Sequence, residues 1–558
     1  MSSFKLRGLE LHSSRMWRWA SVERSLDVMG KIGLNALIFH QNDLVDQLVF
    51  PEKYFSVADM WKSWPVRMHT IFNNRQYIRK VIGEAKNRGI GFYLEVKEIY
   101  YPEGLLELNP ELRQSDGSIC ASNPFWWEFI EAKIQELLEE VPDIAGMIVS
   151  PASRESKVSI SNNDCHCARC QAMEPSEWYH RLLDSMYRPL QEKGKTLAVR
   201  DFSYTAAHQD MAINAASLCS QDIVIALKNT PHDFYPTFPS NNRIGHTHGH
   251  PQWVEFDTWG QFFGIGFFPC SVVEDMKQRI DFCQERCVDG VWFRSDWEVM
   301  TEASSFNSFN LLNVFAGGML ARDPGTPLDE IYRTWASFGL FSPLKPESVF
   351  VSPLPISKEN DLQKLKKFMI ASWSVIEKTV YVRGHVFHED MMFHQSLQLA
   401  FEMMTEIHGR DQWDPNASQL VEPTAANTRI ILEEKRAALN EVAQLPSILQ
   451  PRSLDIPDEF AAELETMLEL YHYLVEGYYY SAGACFLAKK TLQTRNLADL
   501  TEANGYLNEL INYRERLIQR LNGTAYPHYV YWLLDTDRLQ KLIDSIRRNL
   551  ETIEWVLK

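Results

Sequence analysis

The sequence predicts an α/β protein, a (β/α)8 TIM barrel followed by an all-α helical C-terminal domain. Three observations lead there. Short β-rich runs alternate with amphipathic stretches from residue 5 to about 340; these runs number eight; and beyond a proline-punctuated stretch at 342–361 they all but vanish. A chain of 558 residues has room for two to four domains, and the change of pattern divides it into a catalytic barrel over 1–345 and an α-helical domain over 346–558.

The strand runs are 6–11, 35–39, 91–96, 145–149, 196–202, 222–227, 252–256 and 290–293. Between the third and fourth, Trp126, Phe129, Ile130, Ile134, Leu137 and Leu138 recur at helical spacing over 125–140, and Pro142-Asp143 stops the helix before the next strand. Regular alternation of strand and helix argues for parallel pairing through crossovers. With eight strands and no Gly-rich phosphate turn, a closed barrel fits better than an open doubly wound sheet. After Pro343, Pro346, Pro353 and Pro355, helices are expected over 362–383, 389–408, 428–445, 458–494, 497–521 and 537–557. In the fourth of these, Leu464, Met467, Leu468, Tyr471, Val475 and Tyr478 form one apolar stripe, so Tyr478-Tyr479-Tyr480 reads as packed core rather than a sugar platform.

Composition narrows the partners. Hydrophobic residues make up 45% and charged residues 23%, ordinary for a globular chain. Lys plus Arg total 56 against 73 Asp plus Glu, a net charge of −17 that repels nucleic-acid phosphates and anionic lipid, so neither nucleic acid nor membrane is an expected partner. Met1 to Trp19 carries no apolar secretory core, and no window reaches the roughly 18 apolar residues of a membrane span. Nine cysteines, an odd number scattered from Cys120 to Cys485, suit a reducing compartment, and a cytoplasmic location is expected.

In a barrel of this kind the reacting groups come from the C-terminal ends of the strands. Run four leads to Ser153-Arg154-Glu155-Ser156, run five to Arg200-Asp201, run six to Lys228 and Asp233, run seven to Glu255 and Asp257, and run eight to Arg294, Asp296 and Glu298. Carboxylates that share one cavity separate their pKa values through burial and mutual repulsion, leaving one group as acid and another as base. Glycoside hydrolysis needs that division.

The segment Lys228-Asn229-Thr230-Pro231-His232-Asp233-Phe234 closely resembles the one that carries a catalytic aspartate in the α-glucuronidases of glycoside hydrolase family 67. Trp253-Val254-Glu255-Phe256 is similar to that family's second catalytic carboxylate on the next strand, and Val199-Arg200-Asp201-Phe202-Ser203-Tyr204 to its arginine-bearing strand. Trp126-Trp127 through Val149, then Arg294-Ser295-Asp296-Trp297, Phe309 to Gly318 and Leu328 to Tyr332, resemble further pieces in the family's order, so the likeness spans roughly residues 5 to 345. The barrel pattern here begins almost at residue 5, without the α/β domain that the family carries ahead of its barrel.

The resemblance implies that Asp233 and Glu255 activate the attacking water and that Arg200 and Lys228 bind a uronate carboxylate. Glu155 is the expected general acid, one position later than the family's, and Asp296 and Trp297 are expected substrate contacts. The lysine that precedes the family's acid is Ser150 here, with Arg154 or Lys157 as replacement cations. His246 and His248 share one face of an extended segment and are expected to hydrogen-bond substrate near the barrel mouth. Cys165, Cys167 and Cys170, interleaved with His166, supply enough soft ligands for a structural Zn2+; the alternative is reduced loop thiols.

The expected activity is therefore an exo-acting, inverting glycoside hydrolase that removes a terminal uronic acid from oligosaccharides and needs no cofactor for catalysis. A barrel glycosidase for another sugar, such as a hexosaminide, and a non-catalytic carbohydrate-binding protein are the competing readings. The helical domain offers more apolar stripe than one small bundle must bury, and a homodimer is expected to cover it.

Overall fold

The computed structural model describes residues 3–151, 155–201, 206–349 and 351–557. Eight strands close into a parallel barrel in chain order: β1 (Leu6–His12), β2 (Ala36–His40), β3 (Gly91–Lys97), β4 (Gly146–Ser150), β5 (Thr196–Arg200), β6 (Val224–Lys228), β7 (Gln252–Asp257) and β8 (Gly290–Arg294). Pairing of β1 with β8, Leu6 opposite Gly290 through Glu10 opposite Arg294, completes the ring. Every strand lies within two residues of its expected run.

Two separate apolar layers hold the barrel. Inside it, Leu6, Ala36, Ile38, Ile148, Ala198, Val224, Ala226, Trp253 and Trp292 form a plug against which Tyr93 packs. Residues of opposite parity on the same strands, such as Leu9, Leu37, Leu94, Val149, Val199 and Val254, face outward into the main core beneath the helices. Helices including Trp19–Ile32, Pro65–Asn87, Phe125–Glu140, Pro175–Glu192 and Val273–Glu285 follow successive strands. The stripe expected over 125–140 is buried along its whole length. Among the described residues the crossover from β6 to β7 carries no helix; chain from Asn229 to Pro251 runs irregularly from the top of the barrel to its bottom.

The C-terminal region is built on the 37-residue helix Asp458–Thr494, flanked by Glu359–Val380, Ala425–Val442, Leu497–Asn522 and Thr536–Leu557. Tyr471 and Tyr478 of the long helix are fully buried, as expected of a core stripe. Tyrosine hydroxyls tie this region to the barrel: Tyr471 donates to the Pro269 carbonyl at 3.3 Å, Tyr381 to Phe262 at 2.7 Å and Tyr529 to Pro343 at 2.9 Å. Among the described residues no helix is long and apolar enough to cross a membrane.

One expected element forms only in part. Of the helix anticipated over 389–408, residues 389–396 are irregular, and the helix runs only over Leu397–Glu402 with a π-helical turn at Met403–Ile407; the chain just before this span forms a two-stranded hairpin, β9 (Tyr381–Val382) with β10 (His385–Val386). Ser396 fixes the start of that helix, its hydroxyl accepting the Leu399 amide at 3.1 Å. Before it, Phe387, Met391 and Phe393 are buried without helical periodicity, and the His394 ring contacts the Phe387 carbonyl. This detour carries Glu389 and Asp390 to the barrel mouth.

Glycines set the closeness of the barrel strands. A Cβ on Gly146 would lie 2.4 Å from the backbone oxygen of Thr196 on the neighbouring strand, an atom that cannot step aside. Gly146→Ala is expected to cost about 1–3 kcal/mol by overpacking, read as a lowered denaturation midpoint with the far-UV spectrum retained.

Candidate active site

Strand geometry determines what stands above the plug. Residues two apart on a strand share a face, so the positions that follow Ile38, Tyr93, Ile148, Ala198, Ala226, Trp253 and Trp292 by two must point into the barrel on the side of the strand ends. They are His40, Glu95, Ser150, Arg200, Lys228, Glu255 and Arg294, and Glu10 joins them on β1. The upper layer is wholly polar, whereas the plug below is wholly apolar.

Arg200 is its centre. The guanidinium donates to Glu255 through Nε at 2.5 Å and Nη2 at 2.7 Å, while Nη1 lies 3.1 Å from Glu95 and 3.3 Å from the Ser150 hydroxyl. Ser150 in turn donates to Glu95 at 3.1 Å. Arg294 sits 3.8 Å from Glu255 and 4.0 Å from Glu10. Glu10, Glu95 and Glu255 have no exposed surface. Glu10 accepts from the Trp292 indole at 2.6 Å and from His40 Nδ1 at 3.0 Å, and lies 2.9 Å from His12 Nε2.

Burial penalises every charge in this layer, and the neighbours decide which charges persist. His12, desolvated yet flanked by Glu10 and Asp296, is raised to about 10 and is an imidazolium at neutral pH. His40 is lowered to about 3 by burial and by the His12 charge, and stays neutral. Burial pushes Glu10 up, but the charge and hydrogen bonds of His12 and His40 outweigh it and hold Glu10 well below the usual carboxylate range. Burial raises Glu95 to about 7 against the pull of Arg200, with Glu10 and Glu255 adding repulsion.

Above this floor opens a cavity of about 280 Å3, close to the lower end of small-molecule sites. Glu155, Asp233, Glu298, Glu389 and Asp390 line it with Lys228, Arg294 and Gln261, and Tyr235, Phe262 and Trp297 give it aromatic walls. Asp233 sits on a left-handed residue, φ 46°, a conformation that aspartate tolerates better than most residues and that the Thr230 hydroxyl supports by donating to the Asp233 carbonyl. Lys228 pairs with its carboxylate. Burial acts to raise Asp233, but Lys228, then His232 and His408, hold it far below the ordinary range. Asp390 goes the other way: burial raises it to about 6 against a 3.0 Å hydrogen bond from Gln261, and the charges of Glu389 and Asp233 add to the rise. The His232 and His408 rings meet at 2.8 Å, and His408 reaches Glu389 at 3.2 Å, linking the β6 loop to the C-terminal region.

Glu155 lies on the cavity wall, its carboxylate 3.4 Å from Lys97 and 3.3 Å from the Asn42 amide. The ammonium that Ser150 lacks is therefore supplied one strand away, since Lys97 is the register partner of Ser150. Lys157, a proposed replacement, instead holds the Tyr101 carbonyl at 3.0 Å and Glu103 at 2.6 Å; Ser153 and Arg154 lie outside the described residues, as do Phe202, Ser203 and Tyr204.

Other expected positions need correction. Glu255 does not line the cavity: it is sealed beneath Arg200, whose guanidinium is committed to Glu255 and Glu95 although an edge of it borders the cavity. Asp296 is 3% exposed and accepts from the backbone amide and Nδ1 of His12 at 3.2 Å, which makes it a support for that imidazolium. His246 and His248 lie at the opposite rim: they precede β7, and the adjacent His250 bonds the Ile223 carbonyl at 2.9 Å just below β6. A segment that leads into a parallel strand enters from its N-terminal end, so these histidines cannot face the mouth.

The residues missed are Glu10, His12, His40, Glu95 and Lys97 from the first three strands and Glu389 and Asp390 from the C-terminal region. For the former a signal existed, because each lies on the inward parity of its strand, Glu10 and Glu95 within the apolar run and His12, His40 and Lys97 directly after it.

No protein-family model matches the chain, and no curated protein sequence matches it. Among solved structures, an enzyme of glycoside hydrolase family 138 that targets the pectin rhamnogalacturonan II is similar, with a TM-score of 0.68 at 12% identity, over 100% of this chain and 85% of that one. The likeness shows a shared fold. A mutant O-GlcNAc hydrolase of Thermobaculum terrenum aligns over 99% of this chain and 94% of its own at 12% identity with a TM-score of 0.46.

Removing Arg200 takes away the guanidinium between Glu255 and Glu95 and leaves Glu255 the looser 3.8 Å contact with Arg294. Arg200→Ala is expected to cost about 3–5 kcal/mol of stability, seen as a lowered thermal midpoint in the absence of any ligand. An unchanged midpoint would show that the pair does not support the floor.

Proposed function

We propose that this chain is an exo-acting glycoside hydrolase that removes a terminal acidic sugar from an oligosaccharide, with Asp233 as the base that activates water and Glu155 as the general acid. The observation that carries this reading is the cavity at the strand ends, whose wall holds Asp233, kept ionised beside Lys228, together with Glu155. Asp390 on the same wall is pushed towards the neutral acid, and opposed protonation of that kind suits acid–base cleavage of a glycosidic bond. The family 138 structural neighbour targets pectin, and a glycan substrate accords with that.

Lys228 and Arg294 line the cavity and are suited to a sugar carboxylate, and the Trp297 ring offers an apolar face. Arg200 and Glu255 act in this reading as positioning residues below them. The base takes a proton from a water that attacks the anomeric carbon, while the acid gives a proton to the departing glycosidic oxygen on the opposite face, so the reaction inverts the anomeric centre, with carboxyls separated by ~6.5–9.5 Å in such enzymes. Asp390 is a second candidate for the acid, favoured by its raised pKa and its place on the cavity wall.

Aryl glycosides that differ only at C6, carboxylate against hydroxymethyl, test the substrate class: the uronide should be hydrolysed faster, and a preference for the neutral sugar or a hexosaminide would discard the acidic-sugar reading. Asp233→Asn should lower turnover by roughly 10²-fold or more on every substrate. Glu155→Gln should harm substrates with poor leaving groups far more than activated aryl glycosides; equal losses would pass the acid role to Asp390. In that case the pH profile gives the sign. An acid must be protonated to act, so with Asp390 near 6 the rate should fall as pH rises through about 6, and Asp390→Asn should abolish that limb.

A further inference from the structure

Beside the barrel mouth stands a second cluster that the reaction does not use. The Sγ atoms of Cys120, Cys165, Cys167 and Cys170 all lie within 4.8 Å of one another. Cys120 is 3.6 Å from Cys167 and 3.5 Å from Cys170. Four thiolates around a tetrahedral Zn2+ with Zn–S near 2.3 Å stand about 3.8 Å apart, so the separations already approach those of a loaded site. Three of the four cysteines are buried, and the fourth, Cys167, is half-buried. His166 between them is exposed, so thiols alone make up the set.

The fourth ligand comes from a distant loop. Cys120 follows a turn closed by the Arg113–Ile119 bridge and is held by its carbonyl, which accepts the Trp126 indole at 3.0 Å. Cys165, Cys167 and Cys170 lie in the loop after β4, where the Asn163 side chain braces Cys165, accepting its amide at 3.2 Å and donating to its carbonyl at 3.1 Å. Both backbones are thus held by protein hydrogen bonds as well as by the cluster itself. Four protein ligands leave no open coordination position, which is the form of a structural zinc site.

We propose that Cys120, Cys165, Cys167 and Cys170 bind one structural Zn2+ that staples the loop after β3 to the loop after β4, the loop that also carries Glu155. Thiolate donors in a tetrahedral array suit zinc, and the metal's charge keeps four neighbouring sulfurs deprotonated. The staple does not depend on the glycosidase reading: it concerns loop structure and is read without substrate.

The full chain, purified without chelator and dialysed into metal-free buffer, should contain one zinc per chain by mass spectrometry. Titration with a mercurial should release it to a chromogenic chelator. Cys120→Ser and Cys170→Ser should lower zinc content at least about tenfold, whereas Cys287→Ser, at an exposed thiol outside the cluster, should retain it. Stripping the metal from the wild type should open the loop to trypsin at Lys157 and Arg169. Wild-type protein without zinc, with the cluster thiols free to alkylate or paired as disulfides, would overturn the proposal; so would iron in stoichiometric amount. Should the serine variants not fold, the metal content and proteolysis of the wild type decide alone.

Discussion

The contact on which the barrel mouth depends is the fork of Arg200 between Glu255 and Glu95. Three carboxylates with no exposed surface, Glu10, Glu95 and Glu255, point into one cross-section of the barrel. Bare carboxylates at that depth would each cost several kcal/mol. Arg200, Arg294 and the protonated His12 stand among them and offset the charges of Glu10 and Glu255, while Glu95, raised to about 7, is partly protonated at neutral pH. The balance is local, since register sets Arg294 of β8 opposite Glu10 of β1, while Glu255 of β7 lies opposite Trp292, one inward position below Arg294 on β8. Asp296 completes it from above by holding the second nitrogen of His12.

This balanced floor allows the cavity above it to sort its own acids. Asp233 and Asp390 are both partly buried side chains on one cavity, and desolvation pushes both towards the neutral form. Their outcomes differ because of what each touches. Asp233 contacts an ammonium, whose attraction exceeds the burial penalty, whereas Asp390 has the neutral amide of Gln261 and two like charges nearby. Lys97, drawn by burial and by Arg200 below its usual pKa, supplies the cation beside Glu155. Protonation in the mouth is thus set by nearest neighbours.

Much of the fold could be read from periodicity alone, because each of the eight strands is a short, mainly apolar run bounded by turns. The same criterion hid part of the site. Ending a strand at its last apolar residue stopped β1 at Leu11, β2 at Phe39 and β3 at Val96, one residue short of His12, His40 and Lys97. Following the inward parity through the charged residue would have recovered them, and Glu10 and Glu95 with them. Glu389 and Asp390 had no such signal: their place depends on a hairpin at Tyr381–Val386 and an irregular turn stabilised by buried histidines and phenylalanines, and a helix stripe is indistinguishable from that spacing. For His246 and His248 the error was one of direction along the crossover, which the absent helix between β6 and β7 had concealed.

Glu155 shows why the supporting loops matter as much as the side chains. Its side chain is 37% exposed, and Lys97 and Asn42 hold its carboxylate on the buried side. The backbone is fixed as well. Val158 pairs with Ile99 beyond β3, the Ser156 hydroxyl accepts the Glu98 amide at 2.9 Å, and the Tyr100 hydroxyl donates to the carbonyl of Glu155 itself. All three anchors come from the chain just after β3, and the cysteine cluster joins the same pair of loops farther out, through Cys120 on one side and Cys165, Cys167 and Cys170 on the other. In its proposed role as general acid, Glu155 would tolerate little displacement, since misplacement by about 1 Å can cost a hundredfold in rate. A part-exposed group on a loop can meet that tolerance only if the loop is tied at more than one point, and here it is tied near Glu155 by hydrogen bonds and farther along by the cluster of four sulfurs.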